Sequence, residues 1–373
     1  MDRAVDLGIN RLRLEAHSGL ERPFPFSKTV SKEFRYKTEN DNPDASKINP
    51  EGFQFELIDK KVELIVMPVR KRLPAKGESL FLNLTYVNFG KDHFHRDRPE
   101  EYAEFMLAIF LHLRDKYGVV PDMIEIILEA DGAGWNAHHI AEAIISTSAA
   151  LSKHGFHPGF SAPSASDMTK ALNLFDELMK NAKVRESLIE FPYHRYRGVS
   201  PQTLLQIGER AQRYRIQTAM LERIGASYKE LHEDLKTGQC SSWEQYTLAF
   251  PGLKDTGGSY FRIDDQDPEH PVIIMAKRTA ALRQYFKFIR RGAVRVEAST
   301  TNPDFDPLGF INTNGKYAIV IKSSRKGTVF IAGLTPGNYG ISYGPDVPEE
   351  QVDVVKSIRL RIPGPGATTI YAK

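Results

Sequence analysis

Strand-sized apolar runs alternate with amphipathic helical stretches through about the first 290 residues, and this alternation restricts the chain to a parallel sheet built from βα units. The runs are Gly8 to Glu15, Leu80 to Val87, Met123 to Glu129, His157 to Ala162, Leu188 to His194, Tyr214 to Glu222 and Cys240 to Phe250. Between the first two, Phe53 to Leu73 is helix-like, with Pro68 as its one blemish. The stretch from Pro99 to Tyr117 places Tyr102, Phe105, Met106, Ile109, Phe110 and Leu113 on one face, the 3.6-residue period. The next helices turn Ile140, Ile144 and Leu151 inward, then Leu172, Phe175, Leu178 and Met179. Ser200-Pro201 opens another helix as an N-cap followed by an N1 proline. A helix around Tyr228, Leu231 and Leu235 and a last one from Glu269 to Arg290 complete the series.

Seven such units are one short of a closed (β/α)8 barrel, and Asp6-Leu7-Gly8-Ile9-Asn10 reads as a helix end running into a strand. The expectation is therefore an α/β barrel whose first βα unit is missing. An open doubly wound sheet is disfavoured, because no glycine-rich phosphate loop follows any strand. After Gly292 the texture changes. Tyr317 to Ile321, Thr328 to Ile331, Ile358 to Ile362 and Thr368 to Tyr371 are strand-sized, and Asn314-Gly315, Lys326-Gly327 and Pro336-Gly337 are turns. The expected domains are a barrel over 1–292 and an antiparallel, sandwich-like β domain over 293–373.

The bulk properties exclude several classes. A chain of 373 residues can bury a full barrel core and a small second domain. Its 50 basic and 47 acidic residues nearly cancel. The basic stretch Lys287 to Arg291 closes a helix pattern, where cations suit the macrodipole, so no nucleic-acid partner is expected. Cys240 is the only cysteine, which rules out an intrachain disulfide and a thiolate metal cage. No run reaches the length of a membrane span. The N-terminus lacks the apolar core of a signal peptide, so the compartment stays undetermined; an upstream extension carrying the missing unit and a secretion signal would make an exported enzyme.

The chemistry concentrates at strand ends. Glu129 and Glu222 each close an apolar run, and strand C-termini open onto the catalytic face of a barrel. Two carboxylates facing each other across that mouth can cleave a glycosidic bond. Strand alternation puts Glu129 on the face of Ile127 and Glu125, and Arg11, Arg13 and Glu15 on one face of the first strand. Buried arginines need partners, and one beside Glu222 would hold that carboxylate ionised, while Glu129 in a drier setting would keep its proton. His93-Phe94-His95 and His138-His139 lack a companion carboxylate pattern, so no metal and no cofactor are expected. Gly-x-Ser-x-Gly is absent, which argues against a serine hydrolase.

The order of these parts resembles clan A of the glycoside hydrolases, most closely family 30 and its neighbours. That resemblance puts an acid/base glutamate at the end of barrel strand four and a nucleophile at the end of strand seven. Ile127-Leu128-Glu129-Ala130-Asp131 matches the first position, and Thr218-Ala219-Met220-Leu221-Glu222 the second. Gly8-Ile9-Asn10-Arg11-Leu12-Arg13-Leu14 resembles strand two, which implies Arg13 as the partner of the nucleophile. Pro192-Tyr193-His194-Arg195-Tyr196 resembles the His-x-Tyr end of strand six, and Phe286 to Ala293 the passage into a side β domain.

The resemblance implies a retaining glycosidase acting on β-linkages of an oligosaccharide, polysaccharide or glycoconjugate. Asn83, Tyr86, Trp135, His194, Tyr196 and Trp243 join Arg13 as expected substrate contacts, the aromatics as stacking surfaces. One departure stands out. The clan has asparagine before the acid/base glutamate, where it binds the sugar 2-hydroxyl, and this chain has Leu128. Asn83 or Asn136 could replace it. The rival expectation is a non-catalytic carbohydrate-binding or scaffold protein on the same barrel.

Overall fold

The computed structural model describes residues 1–22, 34–252 and 254–373, which form two compact units. The larger contains residues 11–222 and 237–244. Its sheet follows chain order, β1 (Arg11–His17), β2 (Phe81–Val87), β3 (Met123–Glu125), β4 (Gly159–Ser161), β6 (Leu188–Arg197), β7 (Gln217–Glu222) and β8 (Ser242–Trp243), and a short β5 (Ala165–Asp167) pairs with the far part of β6. Every pairing is parallel. Side-by-side parallel strands with helices between them make the curled sheet of a (β/α) barrel, as the alternation of the sequence requires.

The helices lie where the apolar period puts them. Pro99–Tyr117 buries Tyr102, Phe105, Met106, Ile109, Phe110 and Leu113. Asn136 caps Ala137–Lys153, its side-chain oxygen accepting from His139 N. Ser200 caps Pro201–Tyr214 by accepting from Thr203 N at 3.0 Å. The stretch around Pro68 is a composite: α-helix Glu56–Lys61, a π segment Val62–Val66, α-helix Met67–Arg72 and a 3-10 turn Leu73–Lys76. Proline cannot donate to the helical ladder, and the wider winding just before it accommodates the missing bond.

Several strands are shorter than their apolar runs. Tyr214 ends a helix, Arg215 takes a left-handed φ of 57°, and β7 begins only at Gln217. The run Cys240 to Phe250 is not one strand. Ser242–Trp243 belongs to the parallel sheet, whereas β9 (Thr247–Pro251) joins β10 (Ser259–Asp264) and β11 (Val272–Met275) in a separate three-stranded sheet. The last helix is correspondingly shorter than expected, Lys277–Phe286, because residues 272–275 are taken up by β11.

The second unit contains residues 1–10, 223–236 and 245–373. Its C-terminal part is antiparallel. A six-stranded sheet runs β12 (Val294–Val296), β13 (Phe305–Ile311), β14 (Tyr317–Ser323), β19 (Gly366–Ala372), β16 (Gly337–Ser342), β17 (Glu350–Val354), and a two-stranded sheet pairs β15 (Gly327–Ala332) with β18 (Ser357–Ile362). Ile319, Ile321, Ile341 and Ile370 of the first sheet pack with Ile358, Leu360 and Ile362 of the second, giving a sandwich core. No helix among the described residues is long and apolar enough to cross a membrane.

Candidate active site

The concave face of the parallel sheet carries charge where barrels of this kind usually carry branched aliphatics. Arg11 on β1 makes a two-pronged contact with Glu190 on β6, at 2.6 and 3.0 Å, and its Nε lies 2.9 Å from Glu244. Arg13, two residues on, donates to Glu222 and lies 3.8 Å from Glu125. Burial alone would lower both guanidinium pKa values, but the surrounding carboxylates outweigh it and hold them raised. Glu244 shifts upward through its own burial and the nearby Glu125 and Glu190, against the pull of the two arginines. Each buried arginine is therefore paired, as the alternation of β1 demands.

Glu222 ends β7. Arg13 holds its Oε2, and the Tyr196 hydroxyl donates to its Oε1 at 2.9 Å. Its side chain is 8% exposed. Glu129 reaches the site differently. The β3 pairing ends at Glu125, and Glu129 lies in a turn with a left-handed φ of 53°, its carbonyl accepting from Gly132 N and Ala133 N at 2.8 and 2.9 Å. Strand alternation thus does not set its direction. A non-glycine residue in this region costs of order 1 kcal/mol or more, and such strain collects at functional sites. Asp131 fixes the turn by accepting from Ser166 N at 2.7 Å and Ser166 Oγ at 2.9 Å. Glu129 is 23% exposed, so the drier carboxylate is Glu222, the reverse of the expectation.

His194 joins the two glutamates. Its Nδ1 lies 3.2 Å from Glu129 Oε1, and its Nε2 lies 3.4 Å from Ser164 Oγ. The Ser164 hydroxyl donates to Glu125 Oε1, while Thr85 Oγ1 and Asn83 Nδ2 donate to Glu125 Oε2 at 2.8 and 3.2 Å. One ligand atom each from Glu129, His194 and Glu222 falls within 4.8 Å of the others. A cation in this triad would compete with the Arg13 guanidinium for Glu222, so the donor set suits a proton better than a metal.

The expected contacts divide. Glu129, Glu222, Arg13, His194 and Tyr196 converge. Asn83 and Tyr86 do not reach the mouth: both are fully buried. Asn83 is spent on Glu125, and the Tyr86 hydroxyl faces His95 Nδ1 at 3.0 Å inside an aromatic cluster with Tyr102 and Phe105. Trp135 and Trp243 are 5% and 8% exposed, too little of either ring for a stacking face. Trp135 packs edge-on against Tyr102 instead. Sequence reasoning missed Ser164, Glu190 and Glu244. Glu190, a charge two residues into a buried strand, was the one with a visible signal.

No known family signature matches this sequence, and no curated protein matches it. Solved structures do match. An endo-β1,6-glucanase superposes with a TM-score of 0.68 at 14% identity, over 98% of this chain and 84% of that one. The catalytic domain of a family 30 xylanase C from Talaromyces cellulolyticus gives 0.67 at 11%, over 97% and 87%. A bacterial orthologue of human α-L-iduronidase gives 0.61 at 12%, over 98% and 75%. The chain has the barrel-plus-β-domain fold of clan A-like glycoside hydrolases.

Proposed function

We propose that this protein is a retaining β-glycoside hydrolase. Glu222 attacks the anomeric carbon and forms a glycosyl-enzyme; Glu129 protonates the departing oxygen and then deprotonates the water that resolves the intermediate. The observation that carries the reading is the approach of the two carboxylates, with oxygens within 4.8 Å. Retaining enzymes keep this pair about 5–5.5 Å apart, and inverting enzymes leave room for a water between them.

The surroundings differentiate the two roles. Glu222 accepts from a guanidinium and a phenol, which orient it and support its role as nucleophile. Glu129 faces His194 Nδ1, and the Ser164 hydroxyl hydrogen is already committed to Glu125. Ser164 Oγ therefore serves as acceptor to His194 Nε2–H. The contact with Nδ1 orients the Glu129 carboxyl, which supports its role as general acid. The substrate is an oligosaccharide, polysaccharide or glycoconjugate, with Arg13, His194 and Tyr196 lining the subsite of the cleaved bond.

Leu128 favours a second reading, a carbohydrate-binding protein without turnover, since its buried side chain offers nothing to a sugar hydroxyl. Hydrolysis of an aryl β-glycoside panel, followed by proton NMR of the first-formed product, separates the readings. Retained configuration, with turnover lost in Glu222→Gln, is the expected result. An inverted product removes the double displacement, and sugar binding without any turnover leaves the second reading standing.

A further inference from the structure

A second group of carboxylates shares no residue with the glutamate pair. Asp41 belongs to the long connection that follows β1; Glu101 and Glu104 lie one helical turn apart on Pro99–Tyr117. One oxygen from each comes within 4.8 Å of the others. Each also has a buried oxygen without a hydrogen-bond partner among the described residues: Asp41 Oδ1, Glu101 Oε2 and Glu104 Oε1. Glu104 is only 3% exposed. The other Asp41 oxygen, Oδ2, is fully used by its own loop, accepting from Asn49 N at 2.5 Å and Asn42 Nδ2 at 2.9 Å.

Glu21 approaches the group, but its oxygens are occupied by Asp41 N at 3.1 Å and His95 Nε2 at 2.6 Å. Arg22 pairs with Glu39 at 2.7 Å. Burial, with Asp41, Glu101 and Glu21 adding negative charge, pushes the Glu104 carboxyl up to about 9. Buried polar atoms are almost always satisfied, and three unsatisfied carboxylate oxygens at one spot call for a common partner.

We infer that Asp41, Glu101 and Glu104 form a calcium site that ties the connection after β1 to the helix Pro99–Tyr117. The donor set is entirely oxygen, which selects a hard cation over zinc or copper. Calcium takes oxygens at about 2.3–2.6 Å, so oxygens up to roughly 5 Å apart can share one ion. Water and backbone carbonyls complete its shell.

The test is calorimetric and thermal-shift titration of the full chain with CaCl2, with MgCl2 and MnCl2 as comparison. Saturable binding of one Ca2+ and a raised Tm are expected. Glu104→Gln should weaken binding at least tenfold and leave the metal-free Tm equal or higher, because it removes a crowded carboxyl. Asp41→Asn provides the same test from the loop side if the helix variant fails to fold. Absence of saturable binding up to about 10 mM of all three cations would overturn the site, since even weak extracellular calcium modules saturate there. So would binding that both substitutions leave unchanged.

Discussion

The Tyr196 hydroxyl donates to Glu222 Oε1 at 2.9 Å, on the oxygen opposite the one Arg13 holds. The carboxylate is thus oriented from two sides, and β6 and β7 must keep their register for it to stay so. That register shifts between Tyr193 and His194, which sets His194 beside Glu222. Removing the phenol takes away one hydrogen bond to a charged group, worth about 1.5–3 kcal/mol. Tyr196→Phe should therefore lower kcat/KM for an aryl glycoside roughly 10- to 100-fold while the fold survives. An unchanged kcat/KM would mean that Glu222 is not the group whose orientation limits the reaction.

Arg13 has a structural duty besides the role proposed for it. It is the shared cation of Glu125 and Glu222, and its side chain is 8% exposed. Arg13→Met leaves both carboxylates buried without that partner. Breaking a buried pair from one side costs about 3–5 kcal/mol, so the urea midpoint should fall by that equivalent at neutral pH. Full stability at pH 7 would show that the concave face tolerates its acids without Arg13.

How much of this could be read in advance depends on the kind of signal. Glu222, Arg13, His194 and Tyr196 stand at strand ends or on an alternating strand face, and such positions follow from local periodicity; Glu129, in a turn past the end of β3, was marked only by a charge closing an apolar run. Ser164, Glu190 and Glu244 act through partners on other strands, so their roles appear only once β1, β6 and β8 curve toward one another. Asn83 and Tyr86 were misread because nearness to a strand end says nothing about depth, and the helix Pro99–Tyr117 seals Tyr86 with Tyr102 and Phe105. The run Cys240 to Phe250 misled for a related reason: apolar content fixes burial, not which sheet a strand joins. Leu128 was legible as a departure, and its buried side chain agrees with that reading.

Glu129 as general acid predicts a dependence on the leaving group. Its carboxyl faces His194 at 3.2 Å and is the more exposed of the pair, open to a glycosidic oxygen. Glu129→Gln cannot protonate a departing sugar, whereas a dinitrophenolate departs without help. Hydrolysis of an unactivated disaccharide should fall by about 10²–10⁴, the usual contribution of a general acid, and formation of the glycosyl-enzyme from a dinitrophenyl glycoside should change little. Equal losses on both substrates would assign Glu129 a positioning role instead.

His232 in the second unit makes stability depend on pH. Its side chain is fully buried, with Nδ1 2.9 Å from the Tyr285 hydroxyl and Nε2 3.3 Å from Asp306. Burial pushes its pKa down from 6.5 to about 4, against the raising effect of Asp306. The unfolded chain therefore binds a proton between about pH 6.5 and 4 that the folded chain refuses. The stability from the neutral ring is complete above pH 6.5 and is lost as pH falls toward 4, with about 2 kcal/mol gone by pH 5. Burial works to raise the Asp306 pKa, but Lys236, His232 and Lys322 outweigh it and hold it low, so its contribution is also lost on acidification, at lower pH. Urea unfolding at pH 7.5 and pH 5 should show the native chain losing about 2 kcal/mol more than His232→Gln, because glutamine has no proton to take up. Parallel losses in the two proteins would mean that His232 is already charged in the fold, with Asp306 as its counter-ion.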